Sequence, residues 1–220
     1  MVACVGDNAP NDDAPSAKQA TGSSASPACG KGGLKVGTGE LAFCDPHDAD
    51  KSCPSTEELV GYTSVNGDIS IYPGSSKDLS DASCLQTVAT TLSISGGTEL
   101  TSLMGLDSLK FVKGLEVLGL DKLISLSGID KLSSVNTLTV NANEVLTDIT
   151  GLPSGFTVGS LYVAGNSELV SLDGLANINV TDVIAIEKNP KLSSCKAAAF
   201  AKKFPGAKFS NFGNLSEVCN

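Results

Sequence analysis

The sequence predicts a mainly β chain, a β-solenoid of about six 23-residue coils that each give one short strand to a parallel sheet. Three observations lead there. The first is a column: Ile71, Ile94, Val117, Val140, Val163 and Ile186 each lie 23 residues from the next. The second is that further columns keep the step: Leu100, Leu123, Leu146, Leu169 and Leu192; Leu103, Leu126, Ile149, Leu172 and Cys195; Leu106, Ile129, Leu152 and Leu175. The third is local alternation, as in Leu92-Ser93-Ile94-Ser95 and Leu138-Thr139-Val140-Asn141, the period-2 mark of a half-buried strand. A unit of constant period cannot bury its apolar edge alone, and stacking the units makes one continuous core.

The elements follow in chain order. Residues 1–28 read as a tether: after Met1-Val2-Ala3-Cys4 comes a run with few large apolar groups, too little to offset its own ordering entropy. Those first four residues resemble the end of a bacterial lipobox, in which a small residue precedes the cysteine that is acylated. The resemblance makes Cys4 a candidate lipidation site, and Val5 after it implies the outer membrane; the alternative is a free thiol in a loose arm. No later segment is apolar over the ~20 residues a spanning helix needs, so membrane attachment is expected only through a lipid on Cys4.

Residues 29–64 form a Cys-rich N-terminal cap, residues 65–194 the solenoid, and residues 195–220 a helical, disulfide-closed C-terminal cap. In the last of these, Ala197, Phe200, Ala201 and Phe204 share one helical face, and Pro205-Gly206 stops the helix. The seven cysteines include no CxxC pair, which argues against zinc and for an oxidising compartment. With Cys4 set aside, Cys195 and Cys219 are expected to pair. Four cysteines remain and allow three pairings; sequence proximity favours Cys29 with Cys44 and Cys53 with Cys84.

Between strands runs a glycine column, Gly105, Gly128, Gly151 and Gly174, and an asparagine column, Asn143, Asn166 and Asn189. Both are expected to be scaffold. An inward amide can bond backbone groups of the adjacent coils, and glycine can take corner angles that other residues avoid. The full pattern, Leu161-Tyr162-Val163-Ala164-Gly165-Asn166-Ser167-Glu168-Leu169-Val170-Ser171-Leu172-Asp173-Gly174-Leu175, resembles the receptor L-domain family, a leucine-rich-repeat-related right-handed solenoid. The likeness covers residues 65–195, and Gly67-Asp68-Ile69-Ser70-Ile71 is similar to the opening of such domains. It implies extracellular recognition rather than catalysis and names no ligand. Two departures stand out: the stretch from Pro73 to Asp81 looks lengthened, and Leu120 occupies the asparagine column. Ordinary leucine-rich repeats remain the near neighbour.

Composition narrows the function classes. Of 220 residues, 24 are acidic and 15 are lysine, with no arginine, a net charge of -9 and a single histidine, His47. Phosphate-backbone binding needs clustered positive charge, so nucleic acid is not an expected partner. Asp45, His47, Asp48 and Asp50 match no calcium loop, so no metal or cofactor is expected. Ser193-Ser194-Cys195-Lys196 matches SxxK without its companion motifs. Asp107 and Asp130 share a column and would stand about 5 Å apart, near the spacing in retaining glycosidases, which keeps a β-helical carbohydrate-active enzyme as the alternative. Repeated threonine arrays are absent, and Asn179 and Asn214 head N-x-S/T sites that matter only in a eukaryote.

The sheet face is the natural binding surface. Its outward rows are Ser70, Ser93, Glu116, Thr139, Tyr162 and Ala185, then Tyr72, Ser95, Leu118, Asn141, Ala164 and Glu187. Tyr72, Leu118 and Tyr162 offer apolar contact, with Glu116, Asn141 and Glu187 as polar complements. The expected function is a non-catalytic recognition or adhesion module, secreted or envelope-anchored, that binds a surface protein or glycan; a purely structural surface protein is the other alternative.

Overall fold

A computed structural model describes Cys29, residues 35–44 and residues 55–219 of the chain. The expectations for Cys4, the tether, Asp45, His47, Asp48, Asp50 and Cys53 lie outside those residues. The fold is a mainly β solenoid of about six 23-residue turns built on one ten-stranded sheet. Its strands are β1 (Lys35–Gly37), β2 (Leu41–Cys44), β3 (Tyr62–Val65), β4 (Ile69–Tyr72), β5 (Thr87–Ser95), β6 (Phe111–Leu118), β7 (Ser134–Asn141), β8 (Thr157–Ala164), β9 (Asn179–Glu187) and β10 (Lys208–Ser210). Every pairing is parallel. One α-helix, α1 (Ser194–Ala201), precedes β10.

The register is the sequence column made physical. Ile71 pairs with Ile94, Ile94 with Val117, Val117 with Val140, Val140 with Val163 and Val163 with Ile186, all essentially fully buried. A second column, Ile69, Leu92, Leu115, Leu138, Leu161 and Ile184, runs beside it. Beyond the corner the core residues recur every third position, as at Leu100, Leu103, Leu106 and Leu109, all without exposed surface. Burial of such side chains stabilises by about 2 kcal/mol each. The backbone of this side bonds coil to coil as well: Leu103 N–H donates to Ser127 O at 2.8 Å and Leu126 N–H to Thr150 O at 2.8 Å.

The asparagine column does the bonding its residue type requires. Asn143, Asn166 and Asn189 are fully buried, and their side-chain amides donate to Val117 O at 3.1 Å, Val140 O at 3.0 Å and Val163 O at 3.1 Å. Each Oδ1 in turn accepts backbone N–H from the preceding coil, at Leu120, Asn143 and Asn166. Thus Leu120 ends the ladder as a donor only, its backbone N–H bonding Asn143 Oδ1 while its side chain offers no amide to pass on. At the other end the ladder runs one rung further than the 23-residue step predicts, because Asn189 N–H donates to Asn214 Oδ1 at 2.8 Å. The glycine column is set by close approach: a Cβ on Gly105 would sit 2.2 Å from the Leu79 carbonyl carbon, and one on Gly174 2.2 Å from Ile149 O.

Both ends differ from simple caps. β1 and β2 pair with β3 and β4, so the sheet already runs through the Cys-rich segment. After α1, which Ser193 caps by accepting from Cys195 N–H and Lys196 N–H, β10 adds a further tier on β9. Ala197, Phe200 and Ala201 are buried as the helical face predicts, whereas α1 ends at Ala201, short of Pro205, and Phe204 lies beyond it, half-buried against the core.

The Cys195–Cys219 disulfide forms as expected, with Cα atoms 5.4 Å apart. The other pairing needs correction: Cys29 bonds Cys84, not Cys44, so Cys53 is not Cys84's partner either. Sequence proximity misleads in a solenoid, since spatial neighbours lie a coil or more apart along the chain. The Pro73–Asp81 stretch is also not lengthened. From Ile71 to the corner residue Leu85 is 14 positions, against 15 from Ile94 to its counterpart Leu109. Disulfides of this kind belong to an oxidising, extracellular type of environment. Among the described residues no helix is long and apolar enough to cross a membrane.

Candidate functional site

The outward rows lie where alternation puts them. Ser70, Ser93, Glu116, Thr139, Tyr162 and Ala185 are paired in order across β4 to β9, and Leu118, Asn141, Ala164 and Glu187 across β6 to β9. With strands about 4.8 Å apart, Glu116 and Tyr162 stand roughly 10 Å apart on one row. Leu118 and Asn141 adjoin them on the next. Tyr162 is 39% exposed and Tyr72 40%. The register separates these two: Tyr72 pairs with Cys44 near the start of the sheet, four strands from Tyr162. Glu187, at the far end of its row, is occupied by the Ser210 hydroxyl, which donates to its carboxylate in a short hydrogen bond. The structure therefore brings Glu116, Leu118, Asn141 and Tyr162 together and leaves Tyr72 and Glu187 apart from them.

A third outward row changes the site. Thr91 pairs with Gly114 and Gly114 with Thr137, so one strand lacks a side chain where its two neighbours carry threonines. The gap opens a notch of about 230 Å³, lined by Thr90, Thr91, Lys113, Gly114, Glu116, Asn136 and Thr137. Its lining residues carry three hydroxyls, an amide, an ammonium and a carboxylate, interleaved with about as much apolar surface from methyl and methylene groups.

One wall is fixed from behind by Asp68. The Thr90 hydroxyl donates to Asp68 Oδ1 at 2.5 Å and the Thr91 N–H donates to the same atom at 2.9 Å. These bonds, the Thr90 hydroxyl first, hold the Asp68 carboxyl below its ordinary value. The bulge in β5 between Val88 and Thr91 is what turns Thr90 toward Asp68.

Sequence reasoning singled out Glu116 but missed the other six lining residues. The available signal was a threonine row broken by one glycine, invisible while attention stays on the rows that flank Ile94 and Val117.

The acid pair has a different setting. Asp107 accepts the Gly105 N–H at 3.0 Å, a bond that shapes its own turn, and Asp130 is exposed on the following coil. Among the described residues no three His, Cys, Asp or Glu side chains stand close enough to hold a metal. A second depression, of about 180 Å³, lies against α1 between Asp173, Lys196 and Lys203 with Phe200 in its wall. No family model matches the chain, and neither does any curated protein or solved structure.

Proposed function

We propose that the chain is a non-catalytic recognition or adhesion module of the cell envelope or extracellular space, binding a protein or glycan partner on the sheet face. The observation that carries this reading is the Gly114 notch. A gap of mixed polar and apolar lining in an otherwise filled row offers hydroxyls and charges to a ligand, and Leu118, Asn141 and Tyr162 extend the contact along the neighbouring strands. Such a surface suits a projecting polar group, a sugar unit or a polar side chain, held against an aromatic edge.

Resemblance to receptor L-domains supports the same class of function, and anchoring at an outer membrane through an acylated Cys4 completes it. The turn-forming bond on Asp107 speaks for a structural carboxylate and so against the enzyme alternative.

The test is capture on arrays of envelope polysaccharides and surface proteins. Gly114→Thr fills the notch with a residue strands favour; the nearest neighbour of its Cβ is the Thr91 hydroxyl oxygen, 3.3 Å away, a contact that a small shift of that side chain relieves. This variant and Tyr162→Ala are expected to weaken capture about tenfold each while the folded state persists. Asp107→Asn and Asp130→Asn are expected to bind as the wild type does. Unchanged capture by Gly114→Thr would sink the reading, and so would a measured glycan hydrolysis that disappears in the Asp variants.

A further inference from the structure

Charge is distributed very unevenly along the chain. Residues 188–208 carry six of the 15 lysines and no acid, whereas residues 1–187 carry 23 of the 24 acids and nine lysines. All six fall in the last coil: Lys188 and Lys191 in the turn after β9, Lys196 on α1, Lys202 and Lys203 just after it, and Lys208 at the start of β10. The one acid that follows, Glu217, receives a short hydrogen bond from the Ser193 hydroxyl. Of the six, Lys191 alone is paired with a carboxylate among the described residues, to Glu168 at 2.6 Å.

The same coil exposes apolar side chains. Phe209 continues the buried column of Leu161 and Ile184 but is 40% exposed, and Phe212 is 53% and Val218 91% exposed, with Leu215 also uncovered. Two lysines stand over aromatic rings of this coil, Lys188 over Phe212 at 5.6 Å and Lys203 over Phe200 at 5.9 Å.

We propose that this coil docks the molecule on an anionic lipid bilayer. Lysines around exposed phenylalanine, leucine and valine match a headgroup layer of negative charge above an acyl boundary. An acidic polysaccharide would satisfy the lysines and leave the apolar groups in water. The acidic remainder of the chain is repelled by the same surface, so the field of the whole molecule turns the basic coil toward it. The inference is independent of the notch, which sits on other strands.

The experiment is co-sedimentation of the full chain, carrying Cys4→Ser so that no acyl chain contributes, with vesicles of phosphatidylcholine alone or mixed with phosphatidylglycerol. Binding is expected only to the mixed vesicles, falling as salt rises. Lys202→Gln and Lys203→Gln are each expected to weaken it about fivefold. Phe212→Ser is expected to weaken it at every salt concentration. Lys110→Gln and Lys131→Gln, on earlier coils, remove equal charge and are expected not to weaken it.

Absence of binding to the mixed vesicles would overturn the proposal, as would equal losses in the Lys110 and Lys131 controls. Two further results would do so: vesicle-free oligomers that dissolve in the Lys202 and Lys203 variants, pointing to a second copy, or salt-sensitive capture by an acidic polysaccharide that Phe212→Ser leaves unchanged.

Discussion

Asn166 shows how much one side chain carries in a stacked fold. Its amide donates to Val140 O at 3.0 Å and to Ala164 O at 3.1 Å, its Oδ1 accepts Asn143 N–H at 3.0 Å, and its own N–H donates to Asn189 Oδ1 at 3.0 Å, so three coils meet at one residue. Leucine fits this column, since Leu120 occupies it two coils earlier without exposed surface. Shape is therefore not what Asn166→Leu would lose. It would strand a buried carbonyl and a buried N–H, and the expected cost is about 3 kcal/mol in urea unfolding. A loss below about 1 kcal/mol would mean that these groups find other partners.

The asparagines were legible because they recur at one step, but the residues just before them were not. Gly96, Gly119, Ala142, Gly165 and Lys188 all have positive φ, between 54° and 70°. Alanine and lysine in two of the five places hide the column from a search by residue type. The backbone imposes the left-handed turn there, and glycine only adopts it with less strain.

At the scale of the element, each coil's strand is bent, and the bend explains most of what periodicity missed. Val65, Val88, Val112, Val135, Val158 and Val180 form another buried column, seen in the pairings of β3 with β5, β5 with β6, β7 with β8 and β8 with β9. Its step is 24 between Val88 and Val112 and 22 between Val158 and Val180, because bulges in β5 and β9 add a residue on one side of the corner. An alignment at a constant 23 loses it. Asn214 leaves the asparagine column for another reason: β9 already pairs with β10 at a step of 25, so the two extra residues enter in the stretch that holds α1, and Asn214 stands 25 residues beyond Asn189. What was readable was the part of the coil whose length does not vary, from the second half of the strand through the glycine corner.

The bulge in β5 also makes a pH-dependent contact, since Asp68 holds Thr90 and Thr91 only as a carboxylate. Its folded pKa lies below the 3.8 ordinary for aspartate, so its contribution is fully present above the unfolded value and is lost as pH falls through the folded one. Asp68→Ala is accordingly expected to be less stable than the wild type at neutral pH. The gap should close on acidification below 3.8. Melting temperatures of both proteins across that range check it. A gap that stays constant would assign the loss to packing rather than to the charged hydrogen bonds.

Over the whole molecule, nearest-neighbour stacking decides how damage spreads. Each coil touches only the coils beside it, so stability is close to a sum of local terms and an end coil can open without the middle. The last coil is the place to see this. β10 is three residues long with all three side chains in the exposed range, and beyond the pairing with β9 it is held by Asn214, Leu215 and the Cys195–Cys219 bond. That disulfide closes a 24-residue loop, which in the chain-entropy account contributes about 3 kcal/mol.

Most of that contribution acts on residues 195–219 alone. Replacing both cysteines by serine is therefore expected to speed amide exchange through α1 and β10 by about a hundredfold, with β5 to β8 unchanged. Hydrogen exchange read by mass spectrometry resolves these segments. If β5 to β8 accelerated equally, the coils would be unfolding as one cooperative unit, and the Cys195–Cys219 bond would be holding the entire solenoid rather than its last turn.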